Sequence, residues 1–255
     1  MKLPTLHILT VADAGDERDD IVASYVDGAT PDSKVLVHVD EERRGIMWNW
    51  LHTAEHALAY DDTKWSIIIQ DDAAALPGWR TLLPEALWFS PAPILGMSHF
   101  GQITDTAHRA GVPYLVGPHL IWGAAVAYRR DFLEGLVPWA RRVYEATGYP
   151  HDDRLVSAYA NKIGVDTALT TRALFDQPVE KSTVGHGGQN RRPGHTILEP
   201  GAHYGVRPRA RRKASGGAPE QREWLKDLFT PNEHPTHGFQ VIRSGAVTWA
   251  AKETS

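Results

Sequence analysis

Two adjacent acidic residues, Asp71 and Asp72, follow directly on the apolar run from Trp65 to Gln70, WSIIIQ. A run this apolar and β-branched reads as a strand buried on both faces, so the two carboxylates emerge together at its carboxyl end. Like charges side by side repel, and desolvation raises the penalty. A divalent cation relieves both. Mg²⁺ and Mn²⁺ prefer oxygen ligands and commonly take one or two protein carboxylates while substrate phosphates complete the shell. The competing reading is a turn opened by two Asp residues; their place at the end of a buried strand favours the metal.

Other residues could do different chemistry. His52, Glu55 and His56 stand in an H-x-x-E-H pattern, which in a zinc-dependent hydrolase sets two imidazoles one helical turn apart beside a carboxylate that activates water. With 13 His in the chain, a chance match competes with that reading. Asp152 and Asp153 open a helical run, where one can cap the helix and the other can act as a general base. Trp48 and Trp122 can stack on a base or a sugar, or simply pack in the core. The stretch Arg207, Arg209, Arg211, Arg212 and Lys213 is the strongly basic one. It suits a closing loop, a solvated surface or a contact to nucleic-acid phosphates.

These residues need elements to position them. Leu6–Val11 reads as a strand, Asp19–Val26 as a helix, Lys34–Val39 as a strand and Ile46–Tyr60 as a helix. Trp65–Ile69 is the third strand. Trp79–Phe89 follows as a helix after Pro77-Gly78, then Ile94–Met97 as a strand and Leu120–Tyr128 as an apolar segment. Asp131–Tyr144 and Asp153–Lys162 read as helices. The alternation predicts an α/β fold with a mainly parallel sheet flanked by helices, and ligands beyond the carboxyl ends of the strands. Beyond Asp176 the pattern gives way to Gly, Pro, His and Arg. We therefore expect a catalytic domain over 1–190 and a loop-rich lid over 191–255 containing a final helix at EWLKDLF.

The order of these motifs resembles the GT-A glycosyltransferases, among them family 2 and family 25-like enzymes of bacteria and phages. In these enzymes an acidic DxD, EDD or DD motif follows a buried strand, here as Gln70-Asp71-Asp72-Ala73. The segment around Trp122, Gly123 and Ala124 resembles the one lining the sugar and acceptor pocket. Asp152 and Asp153 match the acidic residue that opens a late helix, and FDQPVEKSTVGHGG resembles the segment in which a His, here His186, completes the metal shell. The resemblance implies Asp71, Asp72 and His186 as metal ligands and Asp153, then Asp152, as general base. It also implies a nucleotide site drawn from Thr10, Asp40, Arg43, Arg44, Gln70, Trp122 and Gly123. The implied activity moves a sugar from a nucleotide-diphosphate sugar, first of all a UDP-sugar, to a hydroxyl acceptor with Mn²⁺ or Mg²⁺ and with inversion at the anomeric carbon. The acceptor would be a soluble saccharide, a protein or a modified nucleic-acid base. A nucleotidyltransferase would use similar parts, but the HILTVADAGDERDD region lacks a Gly-rich phosphate loop with a following Lys.

Bulk properties agree with a soluble enzyme. The chain has 255 residues, enough for one large α/β core. A net charge of -4, from 27 basic and 31 acidic residues, offers no global attraction to nucleic acid or anionic lipid. The absence of cysteine excludes disulfides, thiolate catalysis and Cys-based zinc sites. With neither a signal core nor a long apolar run, the expected location is the cytoplasm, away from membranes. A non-catalytic protein that binds nucleotide or nucleic acid remains the alternative class.

Overall fold

Strand β1 (Leu6–Val11) and strand β3 (Trp65–Gln70) alternate their side chains between two apolar layers. Leu6, Ile8, Ile67 and Ile69 enter one core cluster, whereas Leu9 and Ile68 enter the other. Burial on both faces is the reason apolar residues predominate in these segments. The computed structural model describes residues 3–29, 34–98, 113–120 and 123–177, and the backbone of strands at 240–243 and 246–249.

The elements run β1, α1 (Asp16–Asp27), β2 (Val35–Asp40), α2 (Ile46–Tyr60), β3, β4 (Ala74–Ala75), α3 (Trp79–Trp88) and β5 (Ile94–Gly96). There follow β6 (Tyr114–Gly117), β7 (Ala125–Arg129), α4 (Arg130–Thr147), α5 (Asp152–Ile163), β8 (Thr167–Thr170) and β9 (Phe175–Asp176). A hairpin of β10 (Gln240–Arg243) and β11 (Ala246–Trp249) comes last. The large sheet has the order β11-β10-β6-β8-β5-β7-β3-β1-β2. Strands β1, β2, β3, β5 and β8 point one way, and β6 and β7 run against them. This is the α/β, Rossmann-like sheet flanked by helices that the alternation predicted. The hairpin pairs with β6 at the sheet's edge, while the expected helix at EWLKDLF lies outside the described residues.

Helices α1 and α3 contribute Ile21, Tyr25, Leu83 and Leu87 to the first core layer. The second layer takes Met47, Trp50, Leu51 and Ala54 from α2, with Phe132, Leu136 and Val143 of α4 and Leu155 and Val156 of α5. Strands β8, β10 and β11 went unread in the sequence, and so did β6, β4 and β9. The last two are a two-residue pair, too short to show a period. The apolar segment Leu120–Tyr128 becomes strand only from Ala125. Among the described residues no helix is long and apolar enough to cross a membrane.

Candidate functional site

The backbone of β3 fixes where the acidic pair lies. Gln70 N–H donates to Ala124 O at 2.7 Å and Asp71 N–H to Leu9 O at 3.1 Å, so the chain leaves the sheet between β1 and β7. Ala73 N–H then closes a turn onto Gln70 O at 3.0 Å. Both side chains stay buried, each residue only 5% exposed.

Every carboxylate oxygen of the pair accepts a hydrogen bond. Thr10 Oγ1 donates to Asp71 Oδ2 at 2.7 Å, and Gln177 Nε2 donates to Asp72 Oδ1 at 2.8 Å. The Arg18 guanidinium bridges the two residues, through Nη1 to Asp71 Oδ1 and through Nη2 to Asp72 Oδ2 at 3.3 Å. One buried cation against two buried anions leaves the group negative. Burial is the main reason the Asp71 carboxyl is raised; the Thr10 and Arg18 bonds oppose it, and the Asp72 charge adds to it.

Arg18 comes from the inner face of α1, which it shares with Ile21 and Tyr25. Tyr25 Oη donates to Ala73 O at 2.5 Å, tying this helix to the turn after the pair. Gln177 arrives by another route: β9 pairs with β4, so Asp176 lies opposite Ala74 and the next residue reaches back to Asp72. Thr10 O in turn accepts from Asn49 Nδ2 at 2.7 Å, which joins the first turn of α2 to the end of β1.

The second carboxylate pair opens α5. A methyl group added at Gly123 would lie 3.4 Å from Asp152 Oδ2, 3.4 Å from Asp153 Cβ and 3.7 Å from Gln70 Nε2. Gly123 therefore lies between the residue before the acidic pair and the start of α5, so the fold assembles Gln70, Gly123, Asp152 and Asp153. The two aspartates differ in setting. Asp153 is half-buried, and its Oδ1 accepts the Arg154 N–H at 2.7 Å. Asp152 is 6% exposed. Burial, with a smaller contribution from the Asp153 charge, pushes the Asp152 carboxyl up to about 7.

Other expected nucleotide residues have local partners. Asp40 is fully buried, accepting Gly45 N–H at 3.1 Å and Arg44 Nε at 3.3 Å, which pins the loop before α2. Arg44 also lies over the Trp48 ring, 3.2 Å from its centre. Arg43 has a φ of 53° and donates to Ala12 O at 2.7 Å and Asp13 O at 3.0 Å. Trp122, His186 and the basic stretch 207–213 lie outside the described residues.

Arg18 and Gln177 escaped the sequence reading. Arg18 left a signal: it precedes Ile21 by three positions and Tyr25 by seven, which places it on the apolar face of a helix. Gln177 left none.

No family model matches the chain, and no curated protein matches it. Among solved structures, 67 chains match. One is HddC from Yersinia pseudotuberculosis, at 12% identity over 59% of this chain and 82% of that one, with a TM-score of 0.29. The same protein complexed with GMP-PN aligns at 13% identity over 59% and 82%, with a TM-score of 0.30. CMP:2-keto-3-deoxy-manno-octonic acid synthetase complexed with CTP aligns at 11% identity over 66% of this chain and 89% of that one, with a TM-score of 0.36. Likeness at this level carries no ligand or reaction over to the present chain, whose chemistry rests on its own residues.

Proposed function

We propose that the chain is a metal-dependent glycosyltransferase of the GT-A kind, moving a sugar from a nucleotide-diphosphate sugar to a hydroxyl acceptor with inversion. The observation that carries this reading is the pairing of two sites at one end of the sheet. Buried Asp71 and Asp72 end β3, and one residue earlier Gln70 meets Gly123 and the raised carboxyl of Asp152.

The acidic pair fits a hard divalent cation. Its donors are oxygens, the group remains negative with Arg18 in place, and Thr10 adds a hydroxyl oxygen beside Asp71. Asp71 and Asp72 would hold Mn²⁺ or Mg²⁺, which supplies positive charge where the nucleoside diphosphate leaves. Arg18 then has a second use. A guanidinium that bridges two carboxylates can equally bind two phosphate oxygens, so Arg18 turns from the acidic pair to the diphosphate as donor enters. Gln70 and Gly123, which lie between the two carboxylate pairs, would contact the sugar.

The acceptor hydroxyl loses a proton as it attacks. A general base works best with its pKa near the working pH, which favours Asp152 over Asp153. Asp153 then serves the first turn of α5, where its charge suits the helix dipole. A UDP-sugar is the first donor to test, with a saccharide, protein or modified base as acceptor.

The test is a thermal-shift screen of UDP, other nucleoside diphosphates and their sugars, each with and without Mn²⁺, because a ligand of the folded state raises Tm. Stabilisation that requires metal and disappears in Asp72→Asn is the expected result. Absence of a shift with every nucleotide, in a chain that remains folded, would overturn the reading.

A further inference from the structure

On the face of the sheet covered by α2, three imidazoles converge: His7 from β1, His38 from β2 and His56 from the last turns of α2. One nitrogen from each lies within 4.8 Å of the others, and no other such group of His, Asp or Glu occurs among the described residues. His7 and His38 are buried and His56 is half-buried. We propose that these three histidines bind one zinc ion, at a site separate from the acidic pair.

The hydrogen bonds prepare the ligand atoms. His7 Nε2 lies 2.9 Å from Asp61 Oδ2, and both side chains are buried. An ionised Asp61 accepts a hydrogen, so His7 carries its proton on Nε2 and turns the Nδ1 lone pair inward. This is the carboxylate–histidine arrangement that orients metal-binding imidazoles. His7 Nδ1 lies 3.0 Å from His38 Nε2. Two neutral nitrogens so close share one hydrogen; with zinc present, the His38 proton moves to its Nδ1 and both lone pairs face the ion. Ligand nitrogens around tetrahedral zinc lie about 3.3 Å apart, for bonds of roughly 2.0–2.1 Å, close to the His7–His38 separation, and the His56 nitrogen, within 4.8 Å of both, closes in as the ion binds.

A second observation points to a ligand. His56 Nδ1 is buried with no hydrogen-bond partner, a costly state for a polar atom unless something occupies its lone pair. Neutral imidazole is the metal-binding form, and the His38 ring is packed against both of the others, with ring centres 5.3 Å from His7 and 4.9 Å from His56.

The site differs from a hydrolytic H-x-x-E-H centre. Glu55 is held by Arg141 of α4, at 2.9 Å to Nε and 2.6 Å to Nη2, so the carboxylate that would activate water is engaged elsewhere. His52 stacks on Trp48, with ring centres 5.1 Å apart. Three ligands drawn from β1, β2 and α2 make the ion a clamp between sheet and helix. His7 lies near the start of β1, whereas Thr10, close to the strand's end, meets Asp71. The clamp therefore supports the frame from the side away from the proposed chemistry.

The full-length chain would be stripped with EDTA, dialysed against Zn²⁺ and gel-filtered, and its metal measured by mass spectrometry. About one zinc per chain is expected, retained in Asp72→Asn and lost in His56→Gln, with a zinc-dependent rise in Tm present in wild type and absent in His56→Gln. Cobalt(II) in place of zinc should give visible absorption typical of a four-coordinate nitrogen site. His38→Gln is the stronger perturbation, but half-buried His56 makes its variant the safer one for folding. Wild type that retains no zinc, or zinc retained equally by His56→Gln, would overturn the proposal. Because Asp72→Asn is carried in parallel, loss of zinc there alone would assign the ion to the acidic pair and refute the histidine site.

Discussion

Replacing Asp152 with Asn should change both the stability of the protein and how that stability responds to pH. In the fold the carboxyl titrates at about 7 rather than 3.8, chiefly because of burial. Between those values the folded chain holds a proton that the unfolded chain has already released, so raising the pH favours unfolding. The contribution is fully present below about pH 4, is lost progressively as pH rises to about 7, and changes no further above that. At about 1.4 kcal/mol per pH unit the loss amounts to at most roughly 4 kcal/mol. Asn cannot ionise, so Asp152→Asn escapes this loss whatever constant cost its amide introduces. Urea unfolding of both proteins across this pH range should show wild type falling relative to the variant by up to that amount. Parallel pH profiles would refute the buried-carboxyl argument. If Asp152 is also the base, transfer by wild type should rise through neutral pH towards a plateau, and the variant should bind donor without transferring sugar.

Three further outcomes follow from the same geometry. Arg18→Ala leaves two buried carboxylates without their shared cation, a change costing about 3–5 kcal/mol for a broken buried pair; chemical denaturation in EDTA should show it, and added Mn²⁺ should restore more stability to the variant than to wild type. Gly123→Ala places a methyl 3.4 Å from Asp152 Oδ2, so steady-state kinetics should show a depressed kcat/KM with Tm changed by only a few degrees. Asp153→Asn keeps its acceptor oxygen for the Arg154 N–H, and should retain most transfer activity; a loss as complete as that of Asp152→Asn would return the role of base to Asp153.

Much of the frame was legible because strand and helix patterns are local. Leu6–Val11 and Ile46–Tyr60 have the bounds read from the sequence, since apolar runs and helical spacing record burial residue by residue. The position of Asp71 and Asp72 at the end of a buried strand was equally readable. So was the entry of Asp152 and Asp153 into a helix, although nothing local distinguished the two. Their difference came from packing: one carboxylate is enclosed between Gly123 and the core, while its neighbour reaches the N–H of Arg154.

Arg43 and Arg44 looked suited to phosphate because they are cations near the end of β2, yet the fold directs one to loop carbonyls and the other to Asp40 and Trp48. The cation that does reach the acidic pair is Arg18, hidden in the acidic run DERDD. Likewise H-x-x-E-H suggested three residues acting together, whereas the fold separates Glu55 onto Arg141 and unites His56 with histidines from two strands. Sequence alone thus determined β1, β2, β3 and β5, the helices from α1 to α5 and the acidic pair, because each depends on neighbours within a few positions. The company of that pair depended on tertiary structure: Gln177 is 105 positions from Asp72, and such a contact exists only after β4 and β9 have paired.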